Sequence, residues 1–126
     1  MSEPLRPGDV WLADLGPVAG SGQAGRVAGS GQAGRHPVIV VSGPLHLALP
    51  HGVAFVVPVT SRDRRLRHQI PITSISSGLE RLPAFTRPED ARAVSSPRLT
   101  ERLGSVAPAE LTAIRRILAA FLDLSD

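Results

Sequence analysis

The sequence predicts an α+β fold that is mainly β: a small barrel of short strands closed by one C-terminal helix. Three observations carry that prediction. Short apolar runs recur along the chain, separated by glycine- and proline-rich stretches. Only one segment, Pro108–Leu122, sustains apolar residues at three-to-four spacing. Aromatic residues make up just 3% of the chain, so the core must be built from Val, Leu, Ile and Ala. A length of 126 residues fits one domain, 1–126, large enough to bury a single core.

The elements follow in order. Met1–Pro7 is a short polar lead-in. Asp9–Asp14 reads as a first strand, with Val10 and Leu12 alternating against Trp11 and Ala13. Residues 16–34 are glycine-rich and lack periodicity, which predicts a mobile loop. Within it the nonapeptide Val-Ala-Gly-Ser-Gly-Gln-Ala-Gly-Arg occurs twice in tandem, at 18–26 and 27–35. Nine extra loop residues cost only about half to one kcal/mol by chain statistics, so the duplication is tolerable for folding. Val38–Ser42 is a continuous apolar run and reads as a buried strand. Gly43–Gly52 is a proline-broken connection with room for one helical turn. Val53–Thr60 is a further strand whose Pro58 points to an edge or a bulge. Gln69–Ile72, Leu82–Thr86 and Arg92–Ser95 are shorter strands. Pro108–Leu122 is the long helix: Pro108 lies in its first turn, and Glu110 complements the positive end of its dipole. Leu111, Ile114, Ile117, Leu118 and Phe121 form its apolar stripe, flanked by Arg115 and Arg116.

Composition excludes several classes. There is no cysteine, hence no disulfide framework and no thiolate site. No run is apolar enough to span a bilayer, and the N-terminus lacks a signal-peptide core, so a cytoplasmic protein is expected. His46 and His51 have no acidic or cysteine neighbour, which argues against a metal site. No phosphate-loop, nucleophile-elbow or paired-carboxylate motif occurs. Scarce aromatics disfavour base-by-base stacking on single strands. All 14 basic residues are arginine, and Arg62, Arg64, Arg65 and Arg67 cluster against the lone Asp63. Guanidinium forks match phosphate geometry, so the cluster points to nucleic acid; a solvated charged turn is the plainer alternative.

Pro7-Gly8-Asp9-Val10-Trp11-Leu12-Ala13-Asp14-Leu15-Gly16-Pro17 resembles the opening block of the MazF/PemK family of bacterial toxins. With one nonapeptide excised, the glycine-rich loop running into His36-Pro37 and Val38–Ser42 is similar to the family's second block. Val57-Pro58-Val59-Thr60-Ser61 resembles its signature strand. Glu89–Val94 with Arg98-Leu99, then Gly104 and the helix from Pro108, resemble the remaining blocks. The ordered set covers nearly the whole chain. The resemblance implies an SH3-like barrel, a homodimer, and a paired antitoxin that holds the toxin inactive. It also implies cleavage of single-stranded RNA at preferred short sequences without a metal or other cofactor.

Such cleavage uses the neighbouring 2′-hydroxyl as nucleophile. A base must take its proton, and donors must stabilise the phosphorane. By resemblance these roles fall to an arginine before the proline and to Thr60. Here the order is Arg35-His36-Pro37, reversed from the family's. Arg35 reaches the phosphate only if it still lies in the loop, since adjacent strand residues face opposite ways. His36 is a candidate acid or base by its ordinary pKa, or else a packed histidine bound to a backbone carbonyl. Ser30 and Gln32 match the loop positions of the family, and Ser61 follows Thr60. Arg62, Arg64, Arg65 and Arg67 would follow the RNA backbone. Ser21, Gln23 and Arg26 form the equivalent set in the first repeat. The family's loop glutamate is replaced by Gly31, and its common glutamine by Asp90. Two alternatives therefore stand beside the nuclease: a dimer that binds antitoxin or RNA without cleaving, and a gyrase inhibitor resembling the CcdB class.

Overall fold

The computed structural model describes residues 3–16 and 34–124. Its strands are β1 (Asp9–Asp14), β2 (Arg35–Val40), β3 (Val53–Thr60), β4 (Pro71–Ile72), β5 (Ala84–Thr86), β6 (Arg92–Ser95) and β7 (Leu99–Ser105). Helix α1 spans Pro44–Leu47 and α2 spans Pro108–Phe121. The strands form one antiparallel sheet in the order β4-β5-β3-β2-β1-β7, with β6 joined to β3. The sheet curls into a half-barrel and α2 closes one side, as the sequence predicts.

The apolar runs are continuous because the sheet is buried on both faces. One face carries Trp11, Ala13, Val38, Val40, Ala54 and Val56, capped by Val94 and Leu99. The other carries Val10, Ile39, Val57, Val59, Ile72 and Ala84. Ile114 of α2 packs into this second core fully buried, with Leu111 and Leu118 against it. Burying such a side chain stabilises the fold by about 1.5–3 kcal/mol. Two members of the expected helix stripe play lesser parts. Ile117 is only partly buried. Phe121 is half exposed, its ring edge-on to His68 at 5.6 Å.

Several boundaries differ from expectation, each for a local reason. β2 begins at Arg35, not Val38, because Asp14 and Ala13 continue the β1 ladder opposite Arg35 and His36. It also stops at Val40. The carbonyls of Val41 and Ser42 instead accept hydrogen bonds from the Arg115 guanidinium, both at 3.1 Å. Pro58 sits at neither an edge nor a bulge. β3 is interior, pairing with β6 over Val53–Val56 and with β5 over Val59–Thr60. Pro58 falls in the gap between those two ladders, where its carbonyl accepts the Arg87 N–H at 2.9 Å. The missing proline donor therefore leaves no ladder bond broken.

β4 is shorter than expected because Gln69 is occupied elsewhere. Its buried amide accepts from Arg64 N–H at 2.8 Å and donates to Arg62 C=O at 3.3 Å, fixing the preceding turn. β7 was not anticipated. Its middle, Thr100-Glu101-Arg102, is polar, and two register shifts against β1 break its alternation.

A second unanticipated feature is the buried Asp9. Its carboxylate accepts from Arg6 N–H, the Trp11 indole and the Arg102 guanidinium, tying the lead-in and β7 to the sheet. Among the described residues, no helix is long and apolar enough to cross a membrane.

Candidate active site

A cleft of about 790 Å³ opens where β2 begins and β3 ends. Arg35, His36, Thr60 and Ser61 all border it. Leu12, Pro37, Val59, Leu79, Ala84 and Leu103 form its apolar lining, and Glu80, Arg81 and Glu101 supply further charge at its border. The strands bring the first set together. β3 lies beside β2 through the pairs Val38–Pro58 and Ile39–Val57. The start of β2 and the end of β3 therefore arrive at the same end of the sheet.

Arg35 is not in the loop; it is the first residue of β2. Its side chain and that of His36 leave opposite faces of the strand. Both nonetheless border the cleft, so Arg35 meets it from the strand and not from the loop that the sequence reading required. His36 is half-buried. Burial, and then the charge of Arg87, hold its pKa below the usual 6.5, so the imidazole is neutral at pH 7. A neutral imidazole has one nitrogen able to accept a proton.

Thr60 caps its own turn: its Oγ1 accepts the Arg62 N–H at 3.1 Å. That bond uses an oxygen lone pair and leaves the hydroxyl hydrogen available to donate. Arg62, Arg64, Arg65 and Arg67 lie exposed on the turn that follows, outside the cleft lining. Backbone bonds to Gln69 and Asp63 hold this turn in one shape. Ser30, Gln32, Gly31 and the first-repeat residues Ser21, Gln23 and Arg26 lie outside the described residues.

Asp90, at the position of the family's glutamine, pairs with Arg87 at 2.6 Å. His46 is engaged structurally: its Nδ1 lies 2.6 Å from Ser42 Oγ and its ring stacks on Phe55. Among the described residues, no three His, Asp or Glu side chains gather closely enough to hold a metal ion.

Sequence reasoning passed over Glu80, Arg81 and Glu101. Glycine packing brings Glu80 and Arg81 to the cleft. Gly78 has φ +73°, and a Cβ there would overlap the Leu103 carbonyl. A Cβ at Gly104 would overlap the Ser76 carbonyl. Two facing glycines thus let residues 76–78 lie directly on β7, and Leu79–Arg81 continue as the cleft wall. The far end of this segment is anchored by Glu110. Its carboxylate accepts from the N–H groups of Thr73, Ser74 and Ala107 and from the Ser74 hydroxyl. Burial alone would raise the Glu110 pKa, but those four bonds outweigh it and lower the value.

The chain matches a family model described as PemK-like, MazF-like toxin of type II toxin–antitoxin system, over residues 6–122. Solved structures share the fold. MazF from Deinococcus radiodurans is 18% identical with a TM-score of 0.75, covering 98% of this chain and 100% of that one. A MazE–MazF structure from the same organism is 19% identical with a TM-score of 0.74, at the same coverages. An endoribonuclease from a mycobacterial species is 18% identical with a TM-score of 0.70, covering 98% and 96%.

Proposed function

The chain belongs to the PemK-like, MazF-like toxin family of type II toxin–antitoxin systems, and from that premise we propose that it is a metal-independent endoribonuclease of single-stranded RNA. The observation that carries this reading is a cleft that Arg35, His36, Thr60 and Ser61 all border. Neutral His36 accepts the proton of the attacking 2′-hydroxyl. The 2′-oxygen forms a bond to phosphorus as the bond to the 5′-oxygen breaks. The Arg35 guanidinium and the Thr60 hydroxyl donate to the phosphorane oxygens. The departing 5′-oxygen takes a proton from water, for which the cleft has room. The products are a 2′,3′-cyclic phosphate and a 5′-hydroxyl.

Arg62, Arg64, Arg65 and Arg67 supply phosphate contacts beyond the cleft, giving affinity without sequence choice. Ser30 and Gln32 belong to the same RNA-binding set by resemblance. The chain acts in the cytoplasm as a homodimer. Since a related MazF has been solved with MazE, a cognate antitoxin is the expected protein partner. The family match favours this class over the gyrase-inhibitor alternative.

The test is incubation of the purified protein with a long unstructured RNA in excess chelator. Cleavage that leaves 5′-hydroxyl ends is expected, and it is lost in Thr60→Ala. No cleavage at any of several enzyme concentrations overturns the proposal.

A further inference from the structure

The cleft holds two acidic side chains to which the proposed reaction, with His36 as its base, gives no role. Two carboxylates, Glu80 and Glu101, border a site proposed to take a polyanion. Neither has a side-chain hydrogen-bond or ion-pair partner among the described residues. A carboxylate only accepts, so it cannot bind a phosphate oxygen. It can only meet a donor.

Glu101 is placed in the cleft by an irregularity of β7. Strand alternation would set Leu99, Glu101 and Leu103 on one face. They do not share one. Leu99 joins the Trp11 core, whereas Leu103 packs on the opposite core and borders the cleft with Glu101. The ladder with β1 explains this. Ala13 pairs with Leu99 and Leu12 with Glu101, leaving Thr100 unpaired between them. The extra residue reverses the facing, and the Thr100 hydroxyl bonds Leu12 C=O at 3.2 Å. A second shift follows between Trp11–Arg102 and Val10–Gly104. Bulges of this kind re-aim side chains beside active sites. Glu101 consequently stands opposite Leu12, beside an apolar surface made by Leu12, Val59, Leu79, Ala84 and Leu103.

We infer that Glu101 is a specificity determinant: it reads the Watson–Crick edge of one unstacked base lying on that apolar surface, and it selects bases bearing an amino group. This inference rests on the RNA reading above. Guanine offers adjacent N1–H and N2–H₂ donors to both carboxylate oxygens; cytosine offers N4–H₂ and adenine N6–H₂. Uracil offers one N–H between two carbonyl oxygens, which repel the carboxylate. Single-stranded RNA is read in this way, with bases splayed out and bonded on their edges. Glu101 sits on a strand and Glu80 in a bend, so Glu101 is the better-held reader.

The test is fluorescence-anisotropy binding of labelled 2′-O-methyl oligouridines carrying one variable base, A, C, G or U. Such probes cannot be cut through the 2′-oxygen. The wild-type chain should prefer the amino-bearing bases over uracil by about tenfold. Glu101→Gln, which adds a donor without changing shape, should reduce that preference below about threefold by improving uracil binding. Glu101→Ala should lose the preference without gaining uracil affinity. Retention of the wild-type ranking in both variants overturns the inference. Equal wild-type binding of all four probes, with cleavage of long RNA intact, overturns it while sparing the nuclease reading. Failure to bind any probe overturns the inference alone if long RNA is still cut, and both readings if it is not.

Discussion

Replacing Thr60 with valine separates structure from chemistry at the cleft. Valine keeps the shape of threonine and its preference for strands. The structure shows one bond that would be lost, the Arg62 N–H to Oγ1 contact at 3.1 Å in an exposed turn. Water can replace that acceptor, so the stability cost should stay below about 1 kcal/mol. If the hydroxyl donates to the transition state, its removal should cost about 2.7–4 kcal/mol, or roughly 10²–10³ in rate. The two magnitudes differ enough to be told apart. Single-turnover cleavage of a fluorogenic RNA, with a thermal melt run in parallel, measures both. Thr60→Ser should stay within about tenfold of wild type, because it restores the donor. A valine variant that keeps a third or more of the wild-type rate would refute the assignment of Thr60 to the reacting phosphate.

Two further outcomes concern the frame of the cleft. Gly104→Ala drives a methyl into the Ser76 carbonyl; overpacking of this kind costs about 2–3 kcal/mol. Differential scanning should show a melting point roughly 10 °C lower. Glu110 has a depressed pKa, so its contribution to stability is fully present above its ordinary value near 4.5 and is lost as pH falls through the folded value. Glu110→Gln should therefore lower stability at pH 7 and flatten the melting-point profile below about pH 4.5; an unchanged acid slope would count against it.

β1, β3, β6 and α2 were legible because their signals are local. Val53–Val59 is apolar throughout, and the Pro108 start and the spacing of Leu111, Ile114 and Leu118 need no tertiary knowledge. β7 was not, because its two register shifts against β1 remove the alternation that marks a strand, and Glu101 and Arg102 read as surface. The start of β2 was hidden for a similar reason. Arg35-His36-Pro37 looks like loop, and only the β1 ladder makes it strand. In the cleft, Thr60 ends a recognisable strand and Ser61 follows it, and Arg35 and His36 precede the run that reads as another. Glu80, Arg81 and Glu101 belong to no motif. They reach the cleft through the contact of Gly78 with Leu103 and through the unpaired Thr100, which are tertiary facts. Gln69 shows the opposite error: a residue that reads as the start of a strand is spent on holding a turn.

The paired irregularities of β7 behave like two compensating frameshifts. Each inserts one unmatched position, and together they return the strand to phase, so that Leu99 and Gly104 both keep their proper partners on β1. A single deletion between them would turn half the strand inside out, whereas sliding one unmatched position along the strand would not. The segment can thus exchange which side chain it presents to the opening while its anchoring ends stay put. Moving the unmatched position from Thr100 to its neighbour would bring Thr100 to the opening in place of Glu101 and leave Leu103 on its core.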